Sequence, residues 1–317
     1  MAAEDDNNFM RYVYRGEEGE IIPREATHIF VLARIVLARA FQRHPNIVEI
    51  ICHEGVEKIE HWAFANCQSL RRVIMPGVKF VGQCAFYNCP ALTDVECCNL
   101  EIIKAWAFGD CKSLSIDLPS AMIVETCAFC DCGVLTDVKF GSKLERIKEE
   151  VFWGCHSLER ITLPLKDGLI NDHNIFTKCE NLVRVDLVEG ELHETIASLH
   201  LNEWKDVMNE EIDSINRILP TTPAGLGCDG DEGSDEDADI DEGGKALVIQ
   251  TWIRSVIGKI IHYKAEHQRL LDEIATTLQF ALPQEIVMNN VLPFLVLPPH
   301  TFEEDDQVME EDDSDDE

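Results

Sequence analysis

The amino-acid sequence predicts a right-handed solenoid of short parallel β-strands, followed by α-helices. The first sign is a unit F-x-x-C-x-x-L at Phe64/Cys67/Leu70, Phe86/Cys89/Leu92, Phe108/Cys111/Leu114, Phe129/Cys132/Leu135, Phe152/Cys155/Leu158 and Phe176/Cys179/Leu182. A degenerate copy, Phe41/His44/Ile47, precedes them, and the phenylalanines are 23, 22, 22, 21, 23 and 24 residues apart. The second is a short apolar alternation after each unit, such as Val73/Met75, Val138/Phe140 and Ile161/Leu163, often followed by a turn residue (Pro76, Pro119, Gly141, Pro164). A strand of three or four residues cannot bury its apolar face alone. Stacked copies about 4.7–4.9 Å apart bury it continuously.

The rest of each unit follows the same rule. Ala40, Ala63, Ala85, Ala107, Ala128, Val151 and Ile175 precede the phenylalanines. Five residues before each ring stands an aliphatic (Val36, Ile59, Val81, Ile103, Val124, Ile147), with Asn171 interrupting the row. The repeated cysteines share one structural position and predict a ladder of small buried thiols beneath a ladder of rings. Buried thiols in apolar surroundings act as small hydrophobes and are inert.

These residues resemble the BspA-type leucine-rich repeat, A-F-x-x-C-x-x-L followed by alternating aliphatics and Pro, over roughly Ile29 to Val188. The resemblance implies a solenoid of about seven repeats and a family used mostly for surface or partner recognition. With its C-terminal helical pattern the chain is also similar to algal repeat proteins of the same type. Many bacterial members are exported, whereas Met1–Met10 is acidic and lacks the basic and apolar parts of a leader. Cytoplasmic residence is therefore expected, with a nuclear location as the alternative. In those compartments 13 cysteines, an odd number, do not predict a disulfide framework.

Cys127-x-x-Cys130-x-Cys132 and Cys97-Cys98 have ligand-like spacing, but tetrahedral zinc needs four donors converging on one point. Cys97 and Cys132 fall in core register, while Cys127 shares a row with Trp62, Cys84 and Trp106. The donors diverge, so no metal and no cofactor are expected.

The segments outside the repeats divide by composition. Residues 1–28 predict a hairpin cap, with Arg11–Arg15 and Glu20–Pro23 flanking Gly16-Glu17-Glu18-Gly19. The solenoid occupies 29–188, and an apolar helical spacing over 189–219 (Trp204, Val207, Met208, Ile212, Ile215, Leu219) predicts a helical cap. Residues 220–244 read as a disordered acidic linker, 245–297 as a C-terminal helical segment and 298–317 as a disordered acidic tail. The net charge of −32 is concentrated there: Asp229–Glu242 holds nine acids and Glu303–Glu317 eleven, with no Lys or Arg in either. Ser234 and Ser314 lie within these runs and suit acid-directed kinases. Such a polyanion is repelled by nucleic acid and by anionic membrane.

Catalysis is not expected. No nucleophile elbow, phosphate-binding glycine loop, H-E-x-x-H or dinucleotide fingerprint occurs, and no small-molecule substrate is implied. The expected function is a non-catalytic interaction module or scaffold for a protein partner. Its candidate surface is the outward side of the strands: Arg72, Asp94, Glu96, Asp117, Asp137, Lys139, Arg160, Arg184 and Asp186. The same mixed charges also suit a solvated face whose cross-strand pairs relieve repulsion.

Two alternatives involve the C-terminal helical segment. Ile249-Gln250-x-x-x-Arg254-Ser255-x-x-x-Lys259 resembles the IQ motif gripped by calmodulin-type proteins, although a helix docked on its own solenoid shows the same apolar residues. Leu282–Leu295 resembles the opening of an F-box, which implies a ubiquitin-ligase adaptor. Here, however, it follows the repeats instead of preceding them, and the chain soon turns acidic.

Overall fold

The computed structural model describes residues 10–17, 19–188, 202–224 and 244–280. Contacts divide the chain into two units, Met1–Val188 with Val207–Ile260, and Glu189–Asp206 with Ile261–Glu317. All of the described β-structure belongs to the first.

Most repeats contribute one longer and one two-residue strand. The longer strands are β1 (Arg11–Tyr14), β2 (His28–Val31), β4 (Glu49–Cys52), β6 (Arg72–Ile74), β8 (Asp94–Glu96), β10 (Ser115–Leu118), β12 (Asp137–Phe140), β14 (Arg160–Leu163) and β15 (Arg184–Leu187). They pair in that order as one nine-stranded sheet, parallel throughout. The short strands β3 (Ile35–Val36), β5 (Lys58–Ile59), β7 (Phe80–Val81), β9 (Ile102–Ile103), β11 (Ile123–Val124) and β13 (Arg146–Ile147) form a second parallel sheet. Two helices follow, α1 (Asn202–Ile218) and α2 (Gly244–Gln279).

The predicted ladder of rings is the axis of the stack. Phe41, Phe64, Phe86, Phe108, Phe129, Phe152 and Phe176 lie with centroids 4.8–5.7 Å apart and planes within 12° of parallel. All seven are buried, and each ring contributes about 1.5–3 kcal/mol of burial. Tyr14 closes the N-terminal end, edge-on to Phe41 at 5.0 Å, with its hydroxyl accepting from Leu37 N–H.

The cysteine ladder is buried as expected, and it also makes polar contacts. Each thiol lies 3.0–3.2 Å from the carbonyl oxygen of the phenylalanine one repeat earlier: Cys67 to Phe41, Cys89 to Phe64, Cys111 to Phe86, Cys132 to Phe108, Cys155 to Phe129 and Cys179 to Phe152. A thiol is a weak donor, so this position suits a residue small and apolar enough for the core that still meets a carbonyl. Burial pushes the Cys67 and Cys111 thiols up to about 12, which keeps them protonated and unreactive.

The corners explain residues that looked unremarkable in the sequence. Trp62, Cys84, Trp106, Cys127 and Glu150 take left-handed φ values of 54–60°, and Asn66, Asn88, Asp110 and Asp131 take 54–63° four residues after the first four of them. Asn and Asp tolerate this region, and Gly154 (φ 73°) supplies it without a side chain. The turned backbone aims amides at the next repeat, as in Phe64 N–H to Ala85 and Asn66 N–H to Tyr87, both at 2.8 Å.

Two local expectations need correction. Residues Glu20–Pro23 form no second strand of a hairpin, and β1 instead adds in parallel to β2. The intervening turn is held by the Glu20 carboxylate, which accepts from the amides of Arg15, Gly16 and Glu17 and from the Tyr12 hydroxyl. Those bonds, with the Tyr12 hydroxyl among them, outweigh burial and hold the Glu20 carboxyl below the usual range. Asn171 does not break the aliphatic row either. Ile170 takes that place, bridging to Ile147, and the extra residue is absorbed by a 3₁₀ turn at His173–Phe176 capped by Asp172.

Residues 189–201, most of the predicted linker, Leu282–Leu295 and both acidic runs lie outside the described residues.

Candidate protein-binding face

The nine-stranded sheet carries two outward rows, because side chains alternate along each strand while parallel register lines them up across strands. One row runs Arg11, His28, Glu49, Arg72, Asp94, Ser115 and continues through Asp137, Arg160 and Arg184. The other runs Val13, Phe30, Ile51, Ile74, Glu96 and continues through Asp117, Lys139, Thr162 and Asp186. All nine residues singled out in the sequence therefore lie on this face.

The structure sorts them into two clusters. Arg72 is bound by three carboxylates, Glu49 at 3.8 Å, Asp94 at 3.1 Å and Glu96 at closer range. Arg160 and Arg184 share Asp186 at 3.5 and 2.9 Å, and Arg160 also reaches Asp137 at 4.0 Å. Between the clusters Asp117 and Lys139 are register neighbours, yet neither forms an ion pair among the described residues. Exposed pairs of this kind contribute about 0–1 kcal/mol each. Their larger effect is to neutralise the arginines at the C-terminal end.

The strand pattern in the sequence also turns Ile51 and Ile74 outward, and the structure extends that apolar line to Phe30 and Val13. Val13 is 40 % exposed, and Phe30, Ile51 and Ile74 are half-buried on the same line. It runs into a shallow, open depression of about 420 Å³ lined by Ile74, Pro76, Cys98 and Pro119 together with Asp94, Glu96 and Asp117.

At the C-terminal end, α1 and the first half of α2 close the stack. The exposed edge of β15 would leave backbone groups unpaired. Asn216 of α1 accepts from Val185 N–H at 2.9 Å. Lys245 at the start of α2 is buried and donates to the carbonyls of Glu180 at 2.8 Å and Leu182 at 2.5 Å. Burial lowers its pKa below the usual lysine value.

The IQ-like residues belong to this closure. Ile249 is fully buried, Gln250 donates to the Ile170 carbonyl and Arg254 pairs with Asp167 at 3.0 Å. Ser255 and Lys259 both bond the Glu211 carboxylate, at 2.5 and 2.6 Å, and Trp252 donates to the Glu211 carbonyl at 2.9 Å. In this chain the helix is docked in cis, through the residues a calmodulin-type partner would grip.

Glu211 makes this closure pH-dependent. Lys259 first, then Ser255, hold its carboxyl below the usual range. A carboxyl depressed in the folded state stabilises it above the unfolded value of about 4.3, and this is lost as pH falls through the lower folded value. Acid titration is therefore expected to change Trp252 fluorescence below about pH 4. Glu211→Gln, which keeps the Ser255 contact, should blunt that transition and cost about 1 kcal/mol after allowing for solvent screening of Lys259.

Among the described residues no group of three His, Cys, Asp or Glu side chains converges as a metal site. Cys127 contacts Glu150 at 3.2 Å while Cys132 contacts the Phe108 carbonyl, so the two thiols have different partners. Among the described helices none is long and apolar enough to cross a membrane.

A parallel solenoid with one long strand per repeat, a Leu and Phe core and an open strand face defines a leucine-rich repeat protein. The profile of the BspA type leucine rich repeat region matches residues 34–122 and 101–205, in six copies. The chain belongs to that family. No curated protein matches it. Among solved structures it is similar to a leucine-rich repeat protein from Bacteroides ovatus (22 % identity, TM-score 0.40), over 56 % of this chain and 42 % of that one. It is also similar to the leucine rich repeat protein of T. pallidum (21 %, TM-score 0.35, over 56 % and 70 %). An internalin from Listeria monocytogenes matches at 13 % identity and TM-score 0.31, over 53 % and 56 %.

Proposed function

We propose that this chain is a non-catalytic interaction module that holds a protein partner on the outward face of its nine-stranded sheet. The observation that carries this reading is the face itself: two continuous rows of side chains on nine aligned strands, partly apolar and partly charged, with no covering element among the described residues. Leucine-rich repeats commonly mediate protein–protein contact, and a solenoid's extended sheet suits it. The IQ-like helix supports the same choice, since its grip residues are engaged within the chain.

Site-specific photocrosslinking in native lysate tests the reading. A crosslinker at Asp117 or Thr162 should give a discrete adduct, and one at Lys148, beside the second sheet, should not. Equal adducts from both faces, or none from the first, overturn it.

A further inference from the structure

We infer that, given a protein partner on this face, the segment it lays across the N-terminal half is extended and carries Lys or Arg side chains among apolar ones. This rests on the proposed function and narrows it to a partner chemistry.

Charge complementarity selects the cation. In the depression, Asp94, Glu96 and Asp117 are the charged lining residues, with no Lys or Arg among them. The nearest cation, Arg72, is already shared by Glu49, Asp94 and Glu96. One guanidinium against those three and Asp117 leaves a local charge of −3, or −2 over the whole half when Arg11 on β1 is included. Asp117 has no ion pair among the described residues, so it meets an incoming ammonium or guanidinium without first breaking an internal contact. At the other end Asp137, Asp186, Lys139, Arg160 and Arg184 sum to +1, so the face has electrical polarity along the stack.

The apolar half of the requirement comes from Val13, Phe30, Ile51 and Ile74, which lie in one line that continues into Glu96 and Asp117. Interfaces combine an apolar centre with a charged rim in this way. The depression is too open to enclose a small molecule, which needs a concave site burying most of its surface. From β1 to β10 is five strand spacings, about 24 Å, which an extended chain of about seven residues spans. The net charge of −32 opposes polyanions and a second copy, and the acidic patch on the face itself attracts cationic segments.

The test uses the full chain and fluorescein-labelled octapeptides: alternating Lys and Leu, alternating Glu and Leu, and all Lys. In fluorescence anisotropy at 0.15 M salt the Lys/Leu peptide is expected to bind at least tenfold more tightly than either of the others. The double variant Glu96→Lys with Asp117→Lys, both exposed positions, should lose at least tenfold, and Arg184→Ala should leave the affinity unchanged. Matching circular dichroism and thermal midpoints establish that the variants fold.

Unchanged affinity in the double variant places the peptide on the acidic runs and overturns the proposal, as does equal binding of the all-Lys peptide. If Asp117 crosslinks a native partner through a segment lacking Lys and Arg, this inference fails while the proposed function stands. Absence of any strand-face adduct removes the proposed function itself.

Discussion

Replacing Phe108 by Ala is expected to cost about 3–5 kcal/mol of stability, the range for emptying a packed aromatic site. Phe108 is fully buried between Phe86 at 5.2 Å and Phe129 at 5.5 Å, with planes 4° and 1° from parallel. Both neighbours are fixed by their own repeats, so neither can collapse into the gap. Contacts in a solenoid run between adjacent repeats, and a defect at the centre uncouples the two halves. Urea unfolding followed by circular dichroism should therefore show a lower midpoint and a shallower transition. Phe108→Leu should cost much less. A loss under about 1 kcal/mol for the alanine variant would mean that the ring ladder is not what couples the repeats.

Lys245→Ala is the second large effect, about 2–4 kcal/mol. Its ammonium donates to the Glu180 and Leu182 carbonyls, and removing it strands one buried and one part-buried acceptor just ahead of β15. Hydrogen exchange should rise at β15 and over Gly244–Ile260 and stay unchanged at β4 to β8. Lys245→Met separates causes, because it keeps the aliphatic stem and loses the bonds. It should behave like Ala if the carbonyl contacts matter and like wild type if packing alone does. Burial lowers the Lys245 pKa from its ordinary 10.5. The unfolded chain thus binds the proton more readily just below that value, and wild-type stability rises with pH across that window. The methionine variant lacks that contribution to the slope.

How far the sequence reveals this molecule depends on whether a feature is periodic. The rings, the thiols and the outward strand positions recur every 22 residues or so, and period alone aligns them. The thiol-to-carbonyl contacts stay hidden because apolar burial already accounts for cysteine at that position. Lys245 and Asn216 occur once each, and nothing local marks one lysine at the head of an apolar helix as a cap for carbonyls more than 60 residues earlier. Arg160 and Arg184 looked like recognition residues because charge can be read from sequence, whereas their neutralisation by Asp186 depends on register. Val13 and Phe30 were missed for a related reason. They precede the first clear repeat, and only the parallel pairing of β1 with β2 and of β2 with β4 brings them into line.

The left-handed corners have a consequence for how such a chain changes in evolution. Each repeat offers the next the same pattern of amides and carbonyls that it receives from the one before, as Phe64 to Ala85 and Phe86 to Ala107 illustrate. Repeats in the middle are therefore interchangeable parts. Duplicating or deleting one lengthens or shortens the face by a single strand spacing, about 4.8 Å, and leaves both closures intact. The reach of the surface and the chemistry of its two ends can vary independently.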